Sequence, residues 1–401
     1  MGTSPDTIGV VGAGILGLAI ARRLQDTHPR ARVTVFDKER AVGTHQTGHN
    51  SGVVHAGLYY QPGSLKAELC RRGGDLLRAY CDERDLPFDA CGKLVVAADD
   101  SELAALKEIQ RRAEINQVPG LRRLESHEIA SIEPYARGAA ALHSPATAIT
   151  DFVAISESLA ADVLAADGEV RLSTEVVRVL PVRNGVQLVT GGGERLRFDH
   201  VVLCAGLESD RLASTAGDRK EPAILPFRGE YLKLIPERAD MVRGLIYPVP
   251  DPKYPFLGVH FTRRVDGSVD VGPNAVLATA REGYRRRDVS LADLRDILGF
   301  PGFWRVAKEH WRAGVAEVAG SASSRVFVNR AKAYVPSLTV ADVVRGGAGV
   351  RAQAVDRSGS LVDDFRIHRL DRVTALRNAP SPAATSALAI AEHVVEAINL
   401  G

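Results

Sequence analysis

Near its start the chain reads Ile8-Gly9-Val10-Val11, a short apolar run, followed at once by Gly12-Ala13-Gly14-Ile15-Leu16-Gly17 and a helical stretch from Leu18 to Leu24. Few sequence features constrain a fold more. A run of that length suits a buried parallel strand, and a strand that turns into a helix on three spaced glycines is a dinucleotide-binding unit. Gly12 permits the tight turn, Gly14 lets a pyrophosphate come close to backbone, and Gly17 lets helix and strand pack tightly. The helix N-terminus then offers unpaired N–H groups and a partial positive charge to the phosphates. A second strand, Arg32-Val33-Thr34-Val35-Phe36, ends at Asp37, 20 residues past Gly17, where a carboxylate accepts hydrogen bonds from a ribose hydroxyl. Asp37 and the adjacent Lys38 are therefore candidate cofactor contacts. A glycine-rich turn alone is a weak signal; here strand, helix, spacing and acid coincide.

The next distinctive stretch runs from Thr44 to Tyr60, Thr-His-Gln-Thr-Gly-His-Asn-Ser-Gly-Val-Val-His-Ala-Gly-Leu-Tyr-Tyr. Four glycines and three histidines fall between Gly43 and Gly57, too many for ordinary core. Glycine is used where backbone must approach a ligand closely. Thr47, Gly48, His49, Asn50, Ser51 and Gly52 are thus expected beside a flat, polar ligand. Far downstream, Glu169 to Leu172, Glu175 to Val179 and Gly185 to Thr190 read as short strands. Val201-Val202-Leu203-Cys204-Ala205-Gly206 reads as another buried strand ending in a small-residue turn. Val176, Ala205 and Gly206 join the candidate cofactor contacts. So late a return to the nucleotide-binding unit is usual in folds that clasp an extended FAD. An NAD enzyme more often completes its Rossmann domain in one block, so FAD is the expected cofactor.

These residues, with Pro226-Phe227-Arg228-Gly229-Glu230-Tyr231, Leu257-Gly258-Val259-His260-Phe261-Thr262, Val271 to Leu277, Gly349-Val350-Arg351-Ala352-Gln353-Ala354-Val355 and Asn378 to Ser386, resemble the L-2-hydroxyglutarate oxidase/dehydrogenase family. That family belongs to the wider D-amino-acid-oxidase-like group of FAD enzymes. The similarity runs over nearly the whole chain, from about Ile8 to about Ala397. Its specific carriers are the stretch from His45 to Tyr60 and the Asn378–Ser386 run, not the glycine fingerprint. The resemblance implies oxidation of L-2-hydroxyglutarate to 2-oxoglutarate by hydride transfer to flavin N5, with electrons passed on to a quinone or to oxygen. The residues by themselves leave open another substrate (a different 2-hydroxy acid, an amino acid, an amine or glycerol phosphate). They also leave open a flavin-binding protein without turnover, or an NAD-dependent dehydrogenase.

With 401 residues, 45% of them hydrophobic, the chain can bury a large core and form two lobes. The expected fold is α/β: a Rossmann-like FAD-binding domain with a second α+β substrate domain of mixed or antiparallel sheet and helices. The expected boundaries assign 1–75, 151–216 and 345–401 to the first, and 76–150 and 217–344 to the second. Helices are expected at Leu65–Cys81, Ser101–Asn116, Asp151–Asp167 and Thr385–Ile398. With 51 basic and 49 acidic residues, no broad nucleic-acid face is expected. Cys70, Cys81, Cys91 and Cys204 show no Cys-x-x-Cys spacing, which fits free thiols in a reducing cytoplasm, and no metal site is expected. Met1 to Asp6 lacks a basic leader region, and the apolar stretch Ile8–Ile20 is too short to span a bilayer. The chain is expected to be cytoplasmic, or at most peripheral on the inner face of the cell membrane. A stretch holding Phe300, Phe303, Trp304 and Trp311 among Arg305, Lys308 and Arg312 reads first as core packing with a charged outer face. A membrane contact is its alternative.

Oxidising a 2-hydroxy acid needs a cation for the carboxylate, a base for the hydroxyl proton, and the α-hydrogen aimed at the flavin. Arg351, in a Gly-Val-Arg setting resembling the carboxylate arginine of amino-acid oxidases, is the expected clamp, since guanidinium binds carboxylate bidentately. Arg228 and Tyr231 are candidates for a second carboxylate. His260 and His55 compete as the base, with His260 preferred because it sits in a predicted strand of the substrate domain. Pro382, Ala383, Thr385 and Ser386, at the start of the closing helix, are expected at the flavin, where a helix N-terminus stabilises the negative charge of the reduced ring.

Overall fold

In the computed structural model of the protein, which describes residues 6–250 and 258–398, strand Thr7–Val11 pairs in parallel with Arg32–Phe36 on one side and His200–Leu203 on the other. Glu169–Arg171 adds to one edge of this sheet, and Val373–Asn378 with its antiparallel partner Arg366–Leu370 adds to the other. Helices Ile15–Thr27, Leu65–Glu83, Phe152–Ala165 and Ala387–Val395 pack on it and share one core with its strands, built from Leu18, Ile20, Leu24, Leu77, Ile155 and Ile390 among others. Ser64 and Asp151 cap two of these helices by accepting hydrogen bonds from Ala67 and from Val153 and Ala154. The glycine fingerprint explains how the first helix sits so close to its strand. Gly12 has φ +107°, and a Cβ there would fall 2.3 Å from the Cys204 carbonyl oxygen. A Cβ on Gly17 would fall 1.9 Å from the Gly12 carbonyl oxygen.

The second layer is a nine-stranded mixed sheet. Its longest pairing joins Ala223–Leu234 to Val343–Val355, antiparallel, with Phe227 opposite Arg351. Lys93–Ala97 runs parallel to Leu245–Pro248, and the remaining partners are antiparallel. Phe261, Val269, Val271, Leu94 and Val96 fill its core with Phe327 and Val328 from helix Ser324–Ala331. The α/β reading of the sequence holds. Two of its expected boundaries fall inside elements, however. Val343–Val355 lies wholly in the second sheet, so the chain returns to the nucleotide-binding layer after Val355 and not at 345, and Leu65–Glu83 is continuous across 75. The closing helix is the shorter Ala387–Val395, with turns over 381–386 before it.

Two further features bear on function. Arg281, on the segment after edge strand Val276–Leu277, donates to Asp210 of helix Ser209–Thr215 at 2.9 Å and to the Leu207 carbonyl. Arg281 and Asp210 are both buried, so an ion pair fastens the two layers together from inside. The aromatic stretch forms part of helix Pro301–Ala322. Phe300 and Phe303 pack on the core as expected, but Trp304 and Trp311 are 57% and 59% exposed. The helix is kinked at His310, where the backbone leaves helical geometry; Trp304 and Lys308 are exposed before the kink, and Trp311, Val315 and Val318 after it. Among the described residues no helix is long and apolar enough to cross a membrane.

Close packing at the fingerprint makes a stability prediction. Gly17→Ala must push helix from turn, and it is expected to lower stability by about 1–3 kcal/mol, the usual cost of overpacking. Gly299→Ala, with nothing within 4 Å of the added Cβ, is expected to stay within about 0.5 kcal/mol. Thermal unfolding of the two variants checks this.

Candidate active site

A cavity of about 770 Å³ runs between the two layers. At one end it is lined by Gly12, Gly14, Gly17, Asp37, Lys38, Val176, Ala205 and Gly206, and at the other by His55, Tyr231, Tyr247, His260, Arg351 and the Pro380–Thr385 turn. Thr47, His49, Asn50 and Ser51 line the stretch between. The dinucleotide end is shaped for a phosphate-bearing ligand. Gly14 has an ordinary φ of −75°, and a Cβ there would meet only Thr47 Oγ1, at 3.2 Å. Backbone strain does not demand glycine at 14, and Thr47 Oγ1, which accepts from Ile15 N–H, is the one atom an added Cβ would press on; the rest of the space against this helix N-terminus is open. Asp37 accepts a hydrogen bond from Ala13 N–H at 2.7 Å, which ties the end of the second strand to the turn.

The loop from Thr44 to Gly52 is held largely by its own polar groups. Thr47 Oγ1 accepts from Ile15 N–H at 3.1 Å, and Asn50 donates to Thr47 O at 2.7 Å while accepting from Gly52 N–H. His49 pairs with Ala348 O at 3.0 Å and stacks on Tyr284 at 4.1 Å. Four sequence candidates lie off the cavity wall. A Cβ on Gly48 would meet the Gly43 carbonyl oxygen at 2.8 Å, so Gly48 is needed for the turn itself. Gly52, at φ +71°, reverses the chain beside Thr150. Ser386 packs against Gly73 of helix Leu65–Glu83. Arg228 is buried and bonded to Glu230 at 3.3 Å and to Arg285 O at 3.2 Å. Strand alternation explains that last outcome. Phe227, Gly229 and Tyr231 line the cavity, so Arg228 and Glu230 belong to the opposite face.

At the far end the chemistry is concentrated. His260 begins strand His260–Arg263, stacks on Tyr247 with centroids 3.9 Å apart, and its Nδ1 lies 2.9 Å from the Gly258 carbonyl oxygen. A carbonyl only accepts, so Nδ1 carries the hydrogen and Nε2 keeps its lone pair. Burial pulls the ring down to about 3, opposed by the Gly258 bond and assisted by Lys93. His55 is pulled well below the ordinary imidazole range by burial, then by Lys93, Lys66 and His260. Its Nε2 lies 3.4 Å from Ser381 Oγ and its backbone N–H donates to Thr385 Oγ1, so it is engaged with the Pro380–Thr385 turn. Burial lowers the Arg351 guanidinium too, against the pull of Asp363 and Tyr60, yet arginine stays a cation under any ordinary condition. Burial raises the Tyr231 hydroxyl to about 12. Tyr247, Phe227 and Lys93 went unremarked as site residues in the sequence. The signal for Lys93 was there, a lysine opening an otherwise apolar strand.

The model of the FAD dependent oxidoreductase family called DAO matches residues 7–397. Human mitochondrial L-2-hydroxyglutarate dehydrogenase is 43% identical, covering 99% of this chain and 89% of the relative. The L-2-hydroxyglutarate dehydrogenase of Escherichia coli K12 is 42% identical, over 97% of this chain and 92% of the relative. This chain belongs to the L-2-hydroxyglutarate dehydrogenase family of FAD-dependent oxidoreductases. Its fold matches the L-alpha-glycerophosphate oxidase of Mycoplasma pneumoniae, solved with FAD bound, at a TM-score of 0.79 with 21% identity over 100% of this chain and 96% of that one. Glycine oxidase from Geobacillus kaustophilus follows the same fold at 0.71 and 18% identity. FAD is the cofactor, and the cradle at Gly14 beside a helix N-terminus, where Thr47 takes only the Ile15 N–H, fits its pyrophosphate.

That fit predicts a separable defect. Gly14→Ala is expected to leave the fold of the cofactor-free protein intact, with a small loss of thermal stability as Thr47 gives way, while weakening FAD binding about tenfold or more, since the methyl group occupies the space the phosphates need. Titration of the stripped protein with FAD, followed by flavin fluorescence, measures it.

Proposed function

We propose that the protein oxidises L-2-hydroxyglutarate to 2-oxoglutarate. The observation that carries this reading is that a guanidinium, Arg351, and an uncharged imidazole with a free Nε2, His260, line the same end of one cavity. Arg351 holds the substrate carboxylate, and charge-assisted bidentate bonds orient the α-carbon. His260 Nε2 accepts the hydroxyl proton, and the bond to Gly258 keeps the ring in the tautomer able to do so. Burial favours the uncharged ring, so the base is ready to accept a proton across the whole neutral range. Tyr231 and Tyr247 close the walls and keep water from the reacting carbon. A bound flavin would supply the two-electron acceptor for the α-hydrogen. Asp37, Lys38, Thr47 and the Gly12–Gly17 turn would hold its nucleotide portion, and His49, Asn50, Ser51 and the Pro382–Thr385 turn its ring.

The spectrum of the FAD-loaded enzyme under anaerobic conditions tests the reaction. L-2-hydroxyglutarate is expected to bleach the flavin band and the D-isomer to leave it; survival of the band with the L-isomer, but not with dithionite, discards the substrate. His260→Asn is expected to lower kcat about 10²–10⁴-fold. Arg351→Met is expected to raise KM by about 10²-fold, the loss of a charged hydrogen-bond pair.

We further read the electron acceptor as a quinone, reached from a membrane surface on the cytoplasmic side, with oxygen as a slower acceptor. Exposed Trp304 and Lys308 before the kink at His310, and exposed Trp311, Val315 and Val318 after it, support this, since with exposed Arg305 and Arg312 they bring aromatic and basic groups together on one segment. Binding to vesicles containing anionic lipid is expected to fall at least about tenfold in Trp304→Ser/Trp311→Ser while dye-linked turnover in solution is unchanged. Equal sedimentation of both proteins would remove this surface from the account.

A further inference from the structure

Lys93 opens strand Lys93–Ala97, whose other residues are all apolar, and it is 1% exposed. Its Nζ lies 3.7 Å from the centre of the Tyr247 ring and 4.7 Å from that of Tyr59. Among the described residues no carboxylate stands against it, and the faces of Tyr247 and Tyr59 are what it meets. A desolvated ammonium without a counter-ion is costly, and cation–π contacts recover only part of that cost. The charge nevertheless lies only one ring behind the cavity wall. Tyr247 and its stacking partner His260 both line the cavity, and the field of Lys93 reaches His260 and His55 alike.

The groups around Lys93 leave its charge unmatched. From the loop after Gly57 come Tyr59 and Tyr60, from helix Leu65–Glu83 come Lys66 and Cys70, and from the opposite side come His55, Tyr247 and His260. The partner strand offers Ser144. Burial raises the three tyrosines and takes Cys70 to about 12, so none is an anion near neutrality. The two histidines are uncharged. Lys66 is already paired with Asp363 at 3.0 Å. Among the described residues, then, Lys93 is a buried cation behind the cavity wall with no carboxylate against it, while Asp363 serves Lys66 and supports Arg351.

We propose that Lys93 is a specificity-determining residue, whose buried charge beside Tyr247 supplies the second positive potential that makes the cavity prefer a dianion to a monoanion. It takes the place that the sequence offered to Arg228, and it rests on the reading of the substrate as a dicarboxylate. Lys93 acts through space and does not line the cavity. The consequence is a pH dependence of selectivity. Burial pulls the ammonium down from the lysine range to about 7. The dianion therefore binds best below that value, takes up a proton on Lys93 when it binds above it, and loses affinity as the pH rises.

The test uses FAD-loaded enzyme and two ligands without a hydroxyl to oxidise, glutarate as dianion and butyrate as monoanion, with binding read from the perturbed flavin spectrum. In the wild type the glutarate preference is expected to shrink about tenfold between about pH 6 and about pH 9. Lys93→Arg keeps the preference at both ends, and Lys93→Met lacks it at both, with butyrate affinity unchanged. A Lys93→Met enzyme with the wild-type preference, or a wild-type preference that is flat with pH, overturns the proposal. Should Lys93→Met fail to fold, the wild-type series and Lys93→Arg decide the matter by themselves. A wild type that shows no preference near pH 6 refutes the dicarboxylate reading along with this one, whereas a preference lost in Arg351→Met but intact in Lys93→Met refutes Lys93 alone.

Discussion

The whole architecture hangs on how closely helix Ile15–Thr27 approaches the strand before it. With the Gly17 Cα packed against the Gly12 carbonyl, the N-terminal end of that helix lies on the wall of the cavity. Asp37 then reaches back to Ala13 and brings the end of the second strand to the same turn. Every other wall of the cavity is placed relative to this corner. The loop through Thr47 is bonded to Ile15, and the Pro380–Thr385 turn is bonded to the chain at His55, whose backbone donates to Thr385.

Opposite that corner, a single long pairing does most of the positioning. Ala223–Leu234 against Val343–Val355 sets Phe227 beside Arg351, and pleating sends Tyr231 to the same wall as Phe227. The substrate end thus inherits its geometry from sheet register, which slips only by moving every side chain to the wrong face. Its polar chemistry is sparse and its charges are few. In so dry a place each charge counts for more than it would in water.

The nucleotide-binding half was legible in the sequence because its constraints are local. A glycine that cannot bear a Cβ, a strand of apolar residues and a carboxylate at a fixed distance all lie within forty residues of one another, between Thr7 and Asp37. The substrate half is assembled from Lys93, Tyr231, Tyr247, His260 and Arg351, which only tertiary pairing brings together. Arg351 and His260 were found through the company they keep in sequence. Arg228 was not separable from Tyr231 by motif, although their odd spacing on one strand already set them on opposite faces. The helix with Trp304 and Trp311 shows the same limit. Its periodicity was readable, but which face meets the core depends on neighbours that no spacing reports.

The buried pair of Arg281 and Asp210 has an energetic meaning as well as a structural one. To spread the two layers apart, the molecule must separate two charges that have little water around them, at a cost of roughly 3–5 kcal/mol. A spread form is then outnumbered by roughly 10²–10⁴ to one. The two walls of the cavity are consequently held in one relative position, so cofactor and small acid meet a site that is already assembled.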